Sequence, residues 1–252
     1  MNGELYQLSR LVVYVKDMIR GGRVVDFKPG RYVKFLFFSF IPKRNILFSK
    51  VEECTDARSW YKHLVKREIK DIRLISVFEE NDIKLAGFSN SEKHGIVTEY
   101  ANGETTIWVA KWEFEEGWSI YYKEFKWAGG VPYTYEECQR DFEKTLLDIE
   151  ELANVLGCDN FAKLFREAYD ILTSKDEPSI PKWAQDDMPN LTGERLRLFL
   201  AASKADVFGA MGSWNDGPDA VATEKGLQEN YANLSHDLYV SIRKAVMNAV
   251  NG

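Results

Sequence analysis

The chain is poor in the residues that most often announce chemistry. It has three cysteines and three histidines in 252 residues. Cys54, Cys138 and Cys158 are far apart and odd in number, which excludes a disulfide framework and suits a reducing compartment. No two cysteines form a Cys-x-x-Cys pair, and His63, His94 and His236 have no metal-ligand spacing. No metal or cofactor is therefore expected. Long hydrophobic runs are also missing. The longest, residues 35–41, is interrupted by Ser39 and is far too short to span a bilayer. No basic segment followed by an apolar run opens the chain, so no signal peptide is readable, and the expected setting is cytoplasmic, without a membrane. There is no Gly-x-Ser-x-Gly elbow, no phosphate loop ending in Gly-Lys-Ser/Thr and no Gly-x-Gly-x-x-Gly.

What is present is the balance of a folded globular protein, with 45% hydrophobic and 29% charged residues. The net charge of −6 hides an asymmetry. Residues 1–75 hold 16 Lys/Arg against 8 Asp/Glu, and the remainder holds 17 against 31. The two parts can attract each other, or the basic part can face a polyanion.

Periodicity places the elements. Leu5, Leu8, Leu11, Val12, Val15, Met18 and Ile19 predict a helix over about 4–20, before Gly21-Gly22. Residues 31–41 are apolar almost throughout and predict a strand buried on both faces, with a return strand over 46–52. Asp56 can cap a helix reaching about Lys70, on which Lys62, Lys66, Lys70 and Arg73 would form one basic stripe, helped by His63 and Arg67. Residues 72–78 suit a strand, and 79–95 suit irregular turns. Residues 96–127 predict a three-stranded meander, with Asn102-Gly103 as a type I′ turn.

The second turn of that meander decides where the aromatics point. Four of the seven tryptophans, Trp108, Trp112, Trp118 and Trp127, lie here. A two-residue Glu116-Gly117 turn would collect Trp108, Trp112, Phe114, Tyr121, Phe125 and Trp127 on one face. A three-residue loop, Glu115 to Gly117, would separate Trp112, Phe114, Trp118 and Ile120 from Tyr121, Phe125, Trp127 and Ile107. Glutamate is strained at φ > 0, so the three-residue loop is favoured, with Gly117 in the left-handed position. Tyr121, Phe125 and Trp127 are then the aromatics without an obvious cover.

Beyond Pro132 the pattern is helical. Thr134 and Glu137 form a capping box for a helix to about residue 156, closed by Gly157, with Cys138 on its buried stripe. Further helices are predicted over about 161–172, 192–208, 219–232 and from Ser235 onward, with an extended loop over 174–189. The fold class is α+β: residues 1–131 hold an antiparallel sheet, and the helical residues 132–252 pack on it.

For function the expectation is a non-enzymatic binding or protein-interaction protein. Its candidate surfaces are Tyr121, Phe125 and Trp127, and the loop carrying Trp214, Asn215 and Asp216, which could hold a small polar ligand or a protein partner. The alternative is a nucleic-acid-binding or nucleic-acid-processing enzyme. Lys62, Lys66, Lys70 and Arg73 would then neutralise phosphates, while Glu124 and Lys126, with Asp82 or Glu113, would supply an acid-x-lysine site. A small-molecule enzyme at the Trp214 loop is a third reading.

Overall fold

The computed structural model describes residues 1–21, 27–30, 32–42, 52–77, 82–91, 93–129, 138–176, 179–188, 190–209 and 211–252. Helix α1 (Gly3–Ile19) begins where the Asn2 side chain accepts from the Glu4 and Leu5 amides. Gln7, Ser9, Arg10 and Lys16 are buried along with its leucines and valines, because α1 lies inside the molecule between the sheet and the later helices. It meets strands β3 (Ile69–Val77) and β4 (Lys93–Tyr100) on one side and the last helix, α9 (Gln228–Asn251), on another.

With β1 (Val33–Ser39), β2 (Glu53–Cys54), β5 (Thr105–Phe114) and β6 (Trp118–Lys126), these strands form one mixed sheet in the order β2-β1-β6-β5-β4-β3. β3 to β6 make an antiparallel meander of four strands, one more than the sequence suggests. β1 joins it in parallel beside β6. α2 (Ala57–Lys66) covers the inner face at the β1–β6 side: Trp60 stacks on Phe38 at 4.6 Å and meets Trp108 edge-on at 5.4 Å. The short α3 (Asp82–Leu85) precedes β4, inside a segment the sequence marks as irregular.

The helical part is α4 (Gln139–Leu156), α5 (Asp159–Thr173), α6 (Lys182–Asp187), α7 (Gly193–Ala205), α8 (Gly217–Glu224) and α9. α4 and α7 each pack on both α5 and α9, closing a ring of four. One continuous buried cluster runs from the sheet and α1 into this ring. The expected boundary near residue 131 lies outside the described residues, as do the Thr134–Glu137 capping box and most of the return strand over 46–52.

Several local expectations change. β1 is buried on one face only, at Leu36 and Phe38, because no described element lies over the other. α2 stops at Lys66, since Glu68 takes φ +58, so Lys70 and Arg73 belong to β3 and not to a helical stripe. Asn102-Gly103 is not a type I′ turn. Gly103 alone has positive φ (+81), its N–H donates to the Tyr100 carbonyl, and the Tyr100 N–H donates to the Glu104 carbonyl. That is a three-residue loop closed by a left-handed glycine. Residues 174–189 contain α6 and are not simply a loop. Gly226 (φ +71) ends α8, and α9 starts at Gln228, so Ser235 and His236 lie inside a helix.

Candidate binding surface

The β5–β6 register pairs Phe114 with Trp118 and Trp112 with Ile120, so the connection is the three-residue loop, Glu115 to Gly117. Gly117 does not take the left-handed helical conformation; its φ is +158, and a Cβ there would lie 2.8 Å from the Lys34 side chain. Residues paired across an antiparallel ladder share a face. Trp108, Trp112, Ile120, Tyr122 and Glu124 therefore point inward, while Ile107, Val109, Lys111, Tyr121, Lys123 and Phe125 point outward. The parallel β1–β6 pairing adds Phe35 and Phe37 to the outward set.

This outward face brings several exposed hydrophobic side chains together. Phe35 is 57% exposed, Phe125 44%, Val109 41% and Tyr121 40%. Phe37 and Tyr121 stack with ring centroids 4.8 Å apart, and Phe35 lies 6.2 Å from Phe37. Two lysines interleave with them. Lys111 Nζ is 2.7 Å from Glu113, which holds the ammonium pKa above its usual value, and Lys123 lies over the Phe125 ring at 5.4 Å. Trp127, just past β6, is half-buried, with its indole against Gly129. Tyr121 and Phe125 are thus exposed as the register implies. Phe35, Phe37 and Val109 are not among the sequence candidates; the signal available for Phe35 and Phe37 is the apolar run of residues 35–41, and for Val109 its place two residues from Ile107 and Lys111 on β5.

The basic residues do not gather into one stripe. Lys62 and Lys66 are exposed on α2. His63 meets Glu52 at 2.9 Å, Lys70 meets Glu99 at 2.6 Å, and Arg73 meets Asp71 at 2.8 Å. Arg67 Nη1 donates to Glu124 Oε1 at 2.5 Å. Lys70–Glu99 and Arg67–Glu124, with Arg10–Asp187 at 2.6 Å, bring the basic first third of the chain against its acidic remainder, whereas the Glu52 and Asp71 pairs lie within that first third.

Glu124 is buried at the centre of a satisfied network. Besides Arg67, Thr106 Oγ1 donates to it at 2.8 Å and the Ile41 amide at 3.1 Å. Tyr100 lies at 3.4 Å, its hydroxyl pushed up to about 12 by burial and by the Glu124 charge, against the opposing pull of Thr98 and Arg67. Burial works against the Arg67 charge, but Tyr100, Glu124 and Glu104 outweigh it and hold the guanidinium protonated. Lys126 is exposed two residues on, opposite Thr106. Among the described residues no three His, Cys, Asp or Glu side chains gather as metal donors, and no helix is long and apolar enough to cross a membrane.

The Trp214 loop is tied inward. Trp214 is fully buried against Phe161, Phe165 and Tyr231; its Nε1 donates to Ser235 Oγ at 2.8 Å, and its carbonyl accepts from Tyr231 at 2.6 Å. Asn215 accepts from the Gly209 amide and Ser213 hydroxyl and donates to the Gly209 and Ile83 carbonyls. Asp216 accepts from the Gly212 amide at 2.8 Å and makes no side-chain bond to α8. No ring face of Trp214 is open for stacking. Cys138 directly precedes α4 and is buried; burial pushes its thiol up, although Asn248 Nδ2 donates to Sγ at 2.8 Å. A cleft of about 640 Å³ opens between α5, α6 and α7, with Trp183, Asp170, Lys204 and three serines in its wall.

No protein-family model, no curated protein and no solved structure matches this chain.

Proposed function

We propose that the protein is a non-enzymatic binding protein, that its working surface is the uncovered face of the sheet, and that it takes another polypeptide surface there. The carrying observation is that Phe35, Phe37, Val109, Tyr121 and Phe125 share that face and are exposed or half-exposed together. A contiguous apolar patch of this kind on a globular protein marks an interaction site more often than an accident of composition. Fully burying an exposed side chain of this kind contributes about 1.5–3 kcal/mol, and since these are already about half buried, covering each adds roughly half of that, so several together are needed for a specific complex. The charges beside the patch are of both signs, as Lys111–Glu113 and Lys34–Glu116 show, which suits the polar rim of a protein interface better than a polyanion track.

The test compares wild type with Tyr121→Lys, both confirmed as folded by a cooperative melt. Wild-type protein is expected to bind a hydrophobic dye on this face and to capture one or more proteins from a native lysate, and the variant to lose at least most of both signals. Identical dye binding and identical capture by the two proteins would sink the reading.

A further inference from the structure

We infer that the tip of the β5–β6 hairpin carries a cage for a methylated ammonium group, formed by Tyr32, Phe114 and Trp118 with the Glu116 carboxylate at its rim. The site is independent of the open sheet face. Phe114 and Trp118 are the last pair of the β5–β6 ladder and belong to the inner set, with Trp112 and Ile120.

Tyr32 and Phe114 are the two most exposed aromatic side chains among the described residues, at 73% and 64%. Single exposed aromatics need no explanation, but these two line one hollow of about 300 Å³, together with Lys34, Glu116, Gly117 and Trp118. That volume is at the lower end for ligand pockets and suits a head group rather than a whole drug-sized molecule. The fold sets its walls. Trp118 stands edge-on to the buried Trp112 at 5.8 Å, which fixes its ring. Phe114 meets Trp118 at 5.1 Å with 63° between the ring planes, so the two form walls at a steep angle. The Trp118 amide donates to the Tyr32 carbonyl at 3.2 Å, where β1 begins beside β6, and this brings Tyr32 to the third side from far along the chain. The Lys34 stem crosses Gly117 and closes the floor.

Ring faces carry the negative side of the aromatic quadrupole, so a hollow walled by them attracts a cation. The charges at the tip agree, with the exposed Glu115 and Glu116 beside Lys34. An anion would meet both the ring faces and these carboxylates. Methylation selects among cations. A plain ammonium is strongly hydrated and loses that water on entering a ring-lined hollow. Lys34 shows where such a group settles instead: its Nζ lies 3.6 Å from Glu116, in an exposed pair. A methylated ammonium keeps the charge and replaces N–H donors by apolar surface, so it gains from the rings without leaving donors unpaired. A free choline-type molecule and a methylated lysine side chain share this head.

A chemical-shift titration of the full chain, read at the Trp118 indole N–H, tests this. Choline is expected to bind with a Kd of about 1 mM. Dimethylbutanol, its uncharged counterpart with tert-butyl in place of trimethylammonium, is expected to bind at least about tenfold more weakly, and so is ethanolamine, the unmethylated head. Phe114→Leu and Tyr32→Leu should each weaken choline binding at least about fivefold. Both side chains are mostly exposed, so each variant keeps a cooperative melt, and either one alone suffices should the other fail to fold. A short peptide carrying trimethyllysine forms the second arm. Tighter binding than choline supports the cage and assigns the head to a polypeptide; weaker binding supports it with a free small molecule as the source. No shift at Trp118 up to about 100 mM choline overturns the cage. So does equal binding of choline and either counterpart, or an affinity indifferent to both substitutions.

Discussion

Arg67 and Glu124 lie 57 residues apart in sequence, and Arg67 Nη1 donates to Glu124 Oε1 at 2.5 Å. One ends a helix that the sequence marks as basic, and the other sits in an acid-x-lysine pattern on a strand. Together they make a single structural pair, with Arg67 stacked over the Tyr100 ring at 4.0 Å. Glu124→Ala removes the acceptor of the Arg67, Thr106 and Ile41 donors at once. It is expected to destabilise the fold by about 3 kcal/mol, the low end for breaking a buried pair because Arg67 is partly exposed. Glu124→Gln keeps part of the hydrogen bonding and should cost about half as much. Urea unfolding midpoints check both, and an unchanged midpoint in Glu124→Ala would refute the pairing.

Acid should loosen the contact between α1 and β3. Burial pushes the Asp71 carboxyl up, but hydrogen bonds from Arg73 and Lys16, the Lys16 charge and the Ile72 amide outweigh it and hold its pKa below the usual carboxylate value. A carboxyl depressed in the folded state contributes stability above its unfolded pKa of about 3.9, and this is lost as pH falls through the folded value. Asp71→Asn should therefore lower stability at neutral pH and flatten the decline below about pH 4. Unfolding free energies measured across that window decide it; parallel curves for the two proteins would count against the assignment.

Trp214 should behave as a core residue. Trp214→Ala removes packing against Phe161, Phe165 and Tyr231 and leaves Ser235 without its donor, an expected loss of about 3–5 kcal/mol. Trp214→Phe keeps most of the volume and gives up the indole N–H, for about 1–2 kcal/mol. Thermal melts rank the two, and equal midpoints for wild type and Trp214→Ala would contradict the buried position.

Asn251 finishes the outer edge of the sheet. Its side chain accepts from the Leu74 amide at 2.8 Å and donates to the Leu74 carbonyl at 2.9 Å, as a neighbouring strand would. Asn90 does the same for Trp112 on β5, with bonds of 2.7 and 2.9 Å. Asn251→Ala should cost about 1 kcal/mol and speed hydrogen exchange at the Leu74 amide, with little change at Ile72. Exchange monitored residue by residue checks this; an unaltered Leu74 rate would remove the edge role.

Much of the fold is legible locally. α1 follows from its apolar spacing and Asn2 cap, α2 from Asp56, whose side chain accepts from the Ser59 amide at 2.8 Å, and the end of α4 from Gly157 at φ +76. The three-residue turn before Trp118 follows from the poor fit of glutamate to positive φ, and with it the faces of every residue in β5 and β6. The start of α9 is not legible locally. Ser235 resembles a cap by type, yet its hydroxyl accepts from Trp214, a contact 21 residues away that no local rule supplies.

The amino-acid sequence by itself determined most of the helices and strands, though not the end of α2, α3, α6 or the start of α9, and which aromatics of β5 and β6 share a face, because those follow from periodicity and turn chemistry within a few residues. Only the tertiary structure decided which face is covered. α1 and α2 lie over the inner side of the sheet, and among the described residues nothing lies over Phe35, Tyr121 and Phe125. The same holds for charge: Lys62, Lys66, Lys70 and Arg73 read as one basic stripe in sequence, whereas in space Lys62 and Lys66 stay on α2, and Lys70, Arg73 and the neighbouring Arg67 each meet a carboxylate. Pairing and cover are long-range properties. They depend on which distant segment arrives, and spacing along the chain carries no record of that.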